Sequence, residues 1–399
     1  MNASPDQVEV QQRLGRYLEQ EGGRLIATAR WIWENPELGY EESEASARLA
    51  ALLRDDGFAV EAPLAQLSTA FRAVYRGQTG PDYPRFALLA EYDALAGIGH
   101  ACGHNLIGTA TVAAALALRH AWPEIPAEVQ VIGTPAEETE GAKVLLADRD
   151  VFTGLSAALM FHPGAGRANT YKAALACRSL RIQFHGRPAH AAGAPWQGVN
   201  ALDAMIQFFV NAGLLRQQLQ DDTRLHGIIT HGGEASNVIP AFTEADYLVR
   251  ADTVGRLNEV YRRVKACAEG AGLATGCRVE FVEGVTYADV LENRALSEVF
   301  QRHAEPLGYV FDPPRHQPGG STDFGNVSRR CPALHAYLNI APGGVGGHTV
   351  AFREAANSDQ GYKVMLDAAY AMAATVAELA GDVSLQARVW ADYQQQSRN

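Results

Sequence analysis

Residues Phe86-Ala-Leu-Leu-Ala-Glu91-Tyr-Asp93-Ala-Leu-Ala-Gly97-Ile-Gly99-His100-Ala-Cys102-Gly103-His104-Asn105 join an apolar run to a glycine-rich turn carrying a thiol and an imidazole two residues apart. A short apolar run bounded by turn residues reads as a buried strand. Open α/β sheets build metal and ligand sites where such strands hand residues out at their C-terminal ends. Cys102 and His104 offer a thiolate and an imidazole, donors suited to a borderline metal ion. Taken alone, a Cys-x-His pair is more often a buried cysteine beside a hydrogen-bonded histidine, and His100 competes locally. Gly97, Gly99 and Gly103 favour the site reading, because a core helix or strand has little use for glycines packed so densely.

Three further segments end apolar runs or sit in glycine loops: Pro135-Ala-Glu137-Glu138, Phe161-His162-Pro163 and Gly347-His348-Thr349. Glu137 and Glu138 follow a strand over 129–133, and adjacent residues at a strand end point to opposite sides. One carboxylate then binds metal while the other faces a substrate as a base. The competing reading is a helix N-terminus enriched in acids. His162 alone would more often be structural. The glycine loop before His348 resembles a phosphate cradle but lacks its Gly-Lys-Ser/Thr ending. His190, in Gly186-Arg-Pro-Ala-His190, reads equally well as an exposed loop histidine. Together these segments point to a metallohydrolase.

Amphipathic helices are expected over 8–34 and 41–57, separated by Pro36 and Gly39. Strands over 86–90, 129–133 and 157–161 alternate with helices over 109–120 and 141–146, which implies a mostly parallel sheet. From residue 175 the order becomes strand 175–184, helix 198–219, strands 225–230 and 243–250, helix 254–271 and strand 278–282. That βαββαβ order is the ferredoxin-like arrangement. Helix–strand alternation then resumes with 292–307, 333–338 and 357–379, and the glutamine-rich end from Asp392 reads as frayed. The fold class is therefore α/β, a mostly parallel-sheet metallohydrolase domain (1–174 and 288–399) with an inserted ferredoxin-like lid or dimerisation domain (175–287).

The chain has 399 residues, 47% of them apolar and 20% charged, values of an ordinary globular protein of two domains. A net charge of −11 argues against a nucleic-acid partner, since binding phosphates needs a basic face. The N-terminus shows no basic segment leading into an apolar one, and no apolar run reaches the ~18 residues of a membrane helix. Five scattered cysteines fit a reducing compartment, so a cytoplasmic location is expected.

The five motifs, in this order, closely resemble the dinuclear-metal amidohydrolase and carboxypeptidase family, which includes aminoacylases, glutamate carboxypeptidases and auxin-conjugate hydrolases. The p-aminobenzoyl-glutamate hydrolase and β-alanyl-lysine dipeptidase branch also shares His-Ala-Cys-Gly-His-Asn105 and a segment like Gly320-Ser-Thr322-Asp-Phe-Gly-Asn326. The resemblance implies two divalent ions per subunit, zinc or manganese, held by Cys102, His104, Glu138, His162 and His348. It implies Glu137 as the general base on a water shared by the ions, and Asp93 as the carboxylate orienting a ligand imidazole. It implies His190 as a lid histidine that reaches across a homodimer interface to the scissile carbonyl. Asn237 and Arg250, with Thr322, are implied to hold the substrate and its carboxylate.

There are departures from the peptidase side of the family. Glu91 stands where those enzymes have a ligand histidine, and Cys102 and His162 replace aspartates; separately, the auxin-conjugate branch carries Asp where this chain has Asn105. Glu91 is not assigned to the metal. The expected activity is hydrolysis of the amide bond in an N-acyl or N-aroyl amino acid or small dipeptide. Competing readings are hydrolytic deamination of an aromatic amine and a non-catalytic binder on the same scaffold. A purely structural zinc site would leave Glu137 unexplained. Tyr92, Thr322, Phe324 and Trp196 are expected in the pocket wall.

Overall fold

A computed structural model describes residues 7–78, 83–314 and 319–397. The elements run α1 (Gln7–Glu34), α2 (Ser43–Asp55), β1 (Ala59–Glu61), β2 (Phe71–Arg76), β3 (Arg85–Ala90), α3 (His104–Ala121), β4 (Glu128–Gly133), α4 (Ala142–Asp148) and β5 (Ala157–Ala165). Next come β6 (Ala176–His185), α5 (Ala201–Leu215), β7 (Arg224–His231), β8 (Phe242–Ala251), α6 (Val254–Thr275) and β9 (Arg278–Tyr287). The chain closes with α7 (Arg294–Ala304), α8 (Phe324–Ser328), β10 (Ala333–Ala341), α9 (Val350–Ala355), α10 (Asp359–Gly381) and α11 (Val383–Ser397).

Two compact units result. The first holds the described residues up to Ala173, those from Val290 to Pro314, and those from Asp323 onward; the second is Ala174–Asp289 with a short return stretch ending at Thr322. That stretch is pinned to the second unit by Leu175 N–H donating to Gly320 O (2.7 Å) and Arg250 Nη1 donating to Ser321 Oγ (2.7 Å).

The first unit is built on a six-stranded sheet in the order β1-β2-β4-β3-β5-β10. β3 runs parallel to β4 and β5, and β5 parallel to β10, while β1 and β2 add an antiparallel edge. The central strands are buried along nearly their whole length, as parallel strands covered on both faces must be. α3 is alanine-rich, almost wholly buried, and packs against α1 and α10. α10 is long and apolar enough to match a membrane span by composition, and 72% of its apolar window is buried inside the protein.

The second unit is an antiparallel sheet in the order β7-β8-β6-β9, with α5 and α6 packed together on it. β8 alternates buried and less buried residues, the period of a sheet covered on one face. α6 begins where Thr253 accepts from Arg256 N and ends at Gly276, whose φ of 77° suits a left-handed cap.

Two expectations need correction. α3 begins at His104, five residues earlier than the apolar pattern indicates, because left-handed Gly103 (φ 79°) turns the chain straight into the helix. The C-terminal segment is helical to Ser397 instead of frayed. Leu385 and Val389 are buried, Asn293 Nδ2 donates to Val389 O, and Tyr393 OH donates to Arg329 O.

Candidate metal centre

The site is assembled from loops at the C-terminal ends of β3, β4 and β10 and from β5 itself. After β3 the chain passes Asp93, folds back through a tight turn from Leu95 to Gly99, and reaches Cys102. Gly103 is required there: a Cβ would lie 2.8 Å from Pro163 Cγ, and the positive φ disfavours any L side chain. His104 opens α3. His162 lies within β5, in register with Tyr337 of β10, and does not end the strand. His348 is fixed by its own N–H, which donates to Ala101 O at 3.0 Å, so the glycine loop is tied to the cysteine turn.

Glu137 and Glu138 occupy a loop after β4, upstream of Gly141 and of α4, so neither the strand-end nor the helix-start description applies. Ala136, just before them, has a φ of 59°. Glu138 N–H donates to Asp93 Oδ2 at 2.9 Å.

Five side chains converge. Cys102 Sγ lies 3.5 Å from His348 Nε2 and 3.8 Å from His162 Nε2. Glu138 Oε1 lies 3.2 Å from His348 Nε2 and 3.9 Å from His104 Nε2. Cys102, His104 and His162 form one group of potential ligand atoms lying within 4.8 Å of one another, and Cys102, Glu138 and His348 form a second. His104, Glu137 and Glu138 form a third, which brings Glu137 to the edge of the same cluster.

Proton positions follow from the partners. His104 Nδ1 lies 2.9 Å from both the Asp93 carbonyl and Asp93 Oδ1, oxygens that only accept, so Nδ1 carries the proton. His162 Nδ1 donates to Pro163 O at 2.7 Å by the same logic. Both rings therefore turn an Nε2 lone pair toward the cysteine, the arrangement by which outer partners prepare histidines for a metal. His104 Nε2 and Glu138 Oε1 are buried without a well-formed hydrogen bond; they meet Glu91 Oε2 at 3.5 Å and His348 Nε2 at 3.2 Å, respectively. Leaving such atoms unpaired costs ~1–3 kcal/mol each, and a cation between them removes that cost. The donor set of one sulfur, one carboxylate and three imidazoles fits zinc or a similar divalent ion.

The electrostatics agree. Burial alone would lower the His104 pKa, but Asp93 and then Glu91 outweigh it and raise it well above the usual histidine value. Carboxylates that favour a proton on this ring equally favour a metal ion at Nε2. Burial pushes the Cys102 thiol up to about 12, so thiolate chemistry there needs a cation beside it. Burial lowers His162 to about 4, keeping it neutral. Glu137 is held well above the ordinary carboxylate range by burial, then by the nearby Glu91 and Asp323.

Sequence reasoning missed a buried ion network beside the cluster. Lys143 Nζ donates to Glu91 Oε1 (2.5 Å) and Asp323 Oδ1 (2.8 Å), and Lys143 N–H donates to Asp323 Oδ2 (3.1 Å). Glu91, Glu137 and Asp323 lie close enough together to suggest a cation site, and the Lys143 ammonium supplies that charge. The available signal was a lone lysine in the otherwise apolar start of α4, Ala142-Lys-Val-Leu-Leu. Tyr92 and Phe324, expected in a pocket wall, are instead fully buried core residues, and Tyr92 OH donates to Thr69 O. Trp196 is 76% exposed in the second unit.

The remaining candidates belong to the second unit. His190 is exposed, and its Nδ1 accepts from Ala192 N (3.2 Å) and Gly193 N (3.0 Å). Its proton therefore sits on Nε2, the opposite tautomer from His104 and His162. Asn237 lies alongside, its carbonyl accepting from Ala191 N at 3.0 Å. Arg250 bonds Ser321, the neighbour of Thr322.

Residues 177–275 match the peptidase dimerisation domain. Across 93% of its length the chain is 38% identical to the mouse Xaa-Arg dipeptidase, covering 89% of that protein. The chain belongs to the M20 peptidase family. It is an enzyme, a metal-dependent hydrolase of amide bonds. It is also 35% identical to a p-aminobenzoyl-glutamate hydrolase component of Escherichia coli, over 73% of this chain and 64% of that one. A Bacillus subtilis dinuclear metal binding peptidase of the M20 family shares the fold, with a TM-score of 0.67 and 23% identity over 90% of this chain and 99% of that one.

Proposed function

We propose that this M20 enzyme hydrolyses small dipeptides or N-acyl amino acids carrying a free carboxylate, using two divalent ions, zinc or manganese, held by Cys102, His104, Glu138, His162 and His348. The observation that carries this reading is the convergence of those donors, with two buried atoms that lack a well-formed hydrogen bond and Glu137 at its edge. When bound, such ions polarise an amide carbonyl and make water acidic enough to be nucleophilic near neutral pH.

The protein's own groups do the rest. Asp93 fixes the His104 tautomer through Oδ1 and the Glu138 backbone through Oδ2. Glu137 takes the proton from the attacking water at its carboxylate and returns it to the leaving amine. His190 is assigned to reach across the dimer interface, its Nε2–H donating to the oxygen that gains charge on the attacked carbonyl. Arg250 and Asn237 grip the substrate carboxylate, the guanidinium by a two-pronged contact that lysine could not copy, and Thr322 lines the same pocket.

Dipeptides are favoured over aroyl-glutamates, because the similarity to the mouse Xaa-Arg dipeptidase spans more of the chain. Assembly as a homodimer is supported by the match to a dimerisation domain. Exposed Ile206, Val210 and Leu214 form a stripe on α5, and Ile228 and Ile229 lie exposed on edge strand β7. All five cysteines are free, in keeping with a cytoplasmic location.

The test is a screen of metal-reconstituted protein against N-acyl amino acids and dipeptides, including Xaa-Arg and p-aminobenzoyl-glutamate, read by release of amino acid. Turnover that disappears in Glu137→Gln supports the reading. Ammonia release from aryl amines without amino-acid release would replace it with deamination.

A further inference from the structure

The loop that presents Glu137 is held by a residue from a remote segment. Glu42 immediately precedes α2, at the position from which a side-chain oxygen can cap the helix. It makes no such bond. That task falls to Glu37, whose carboxylate accepts from Glu44 N, Ala45 N and Ser43 Oγ. Glu42 is instead fully buried, with Oε1 accepting from Ala136 N at 2.8 Å and Oε2 accepting from Thr69 Oγ1 at 3.0 Å.

Ala136 needs such an anchor. It is a non-glycine residue in the left-handed region (φ 59°), a disfavoured conformation that persists only when its surroundings over-determine it. Its carbonyl accepts from Gly141 N at 2.8 Å, closing the loop around Glu137 and Glu138. Gly39, in the same segment as Glu42, leaves room for it: a Cβ there would lie 3.0 Å from Ala136 Cα. On the far side of Glu137, Asp93 holds the Glu138 amide. Buried carboxylates thus grip the backbone amides on both flanks of Glu137.

We propose that Glu42 is a positioning residue that locks the Ala136 turn and so sets the place of Glu137. This rests on the reading of Glu137 as the base. With the grip removed, Ala136 relaxes out of the left-handed region and the Glu137 carboxylate shifts. Displacements of about 1 Å at a reacting group can cost ~100-fold in rate.

The experiment compares Glu42→Ala, Glu42→Gln, Thr69→Val and Glu137→Gln, using the best substrate of the amide screen, metal content by mass spectrometry, and crystal structures of the Glu42 variants. E42A is expected to lower kcat roughly 10- to 100-fold, with KM and metal content within about threefold of the parent. E42Q keeps an acceptor for Ala136 N and is expected to restore most of the kcat. T69V loses a buried hydrogen bond of similar worth but leaves the Ala136 grip intact, and is expected to stay near the parent. Should E42A not fold, Glu42→Asp, too short to reach Ala136, takes its place. The E42A or E42D crystal structure is expected to show Ala136 out of the left-handed region. Ala136 unmoved in that structure, or kcat unchanged while E137Q is inactive, overturns the proposal. E42Q as impaired as E42A overturns it as well. An active E137Q would instead remove the base assignment.

Discussion

Cys102 Sγ and His348 Nε2 approach to 3.5 Å although 246 residues separate them in the chain. The contact depends on two backbone devices: the left-handed glycine that turns Cys102 into α3, and the His348 amide bonded to Ala101 O. A staple between such distant segments would be a costly way to stabilise a fold whose core is already extensive. The same proximity makes sense for a reaction centre, because a divalent ion and a substrate need donors from several directions.

Asp93→Asn should weaken metal binding more than it weakens the fold. The asparagine keeps one acceptor oxygen but removes the charge facing His104 Nδ1 and the Glu138 amide. Loss of such a partner typically costs 10- to 100-fold in metal affinity. A competition titration with a chelating dye checks this, and an unchanged affinity would deny Asp93 its orienting role.

Lys143→Met should be strongly destabilising. It leaves Glu91 and Asp323 buried without their ammonium, and breaking one side of a buried ion network typically costs 3–5 kcal/mol. Denaturant unfolding measures it. The triple change Lys143→Met, Glu91→Gln, Asp323→Asn should recover part of the loss, since Glu137 is then the one ionisable carboxyl left of that group.

Glu42 gives the fold a pH dependence. Burial, then the nearby Asp93 carboxylate, raises its pKa from 4.5 to about 7. A group raised on folding contributes stability that is fully present below its unfolded pKa and is lost as pH rises through the folded one. Tm should therefore fall between about pH 4.5 and 7, by the equivalent of at most ~3 kcal/mol. Glu42→Gln should flatten the curve in that window, and parallel curves for both proteins would remove Glu42 as the source.

Leu214→Glu combined with Ile228→Lys should shift the protein toward monomer. Both side chains are exposed apolar groups, 67% and 66% accessible, on α5 and on edge strand β7. Light scattering after gel filtration reads the mass. A dimer that survives both charges would locate the interface elsewhere.

Much of this was legible in the chain. The run 86–90, the glycines after it and the βαββαβ order from residue 175 are local patterns, set by period and turn chemistry. What stayed hidden depends on remote partners. Lys143 is only a lone lysine in an apolar helix start until Asp323, 180 residues away, is seen beside it. Glu42 carries no local mark of its role until Ala136, 94 residues on, is seen to need it. The left-handed Ala136 defies local preference altogether, since nothing in its own segment asks for that conformation. Tyr92 and Phe324 were misplaced for the converse reason: an aromatic beside a ligand motif resembles a pocket wall, yet on a buried strand end or helix start it fills the core.

The central claim is that Cys102, His104, Glu138, His162 and His348 hold two divalent ions. Metal-loaded crystals measured at the absorption edge of zinc or manganese test it most directly. Two anomalous peaks per subunit among these five side chains are expected, with both lost in Cys102→Ala. No peak at Cys102, or ions bound only elsewhere, would contradict it.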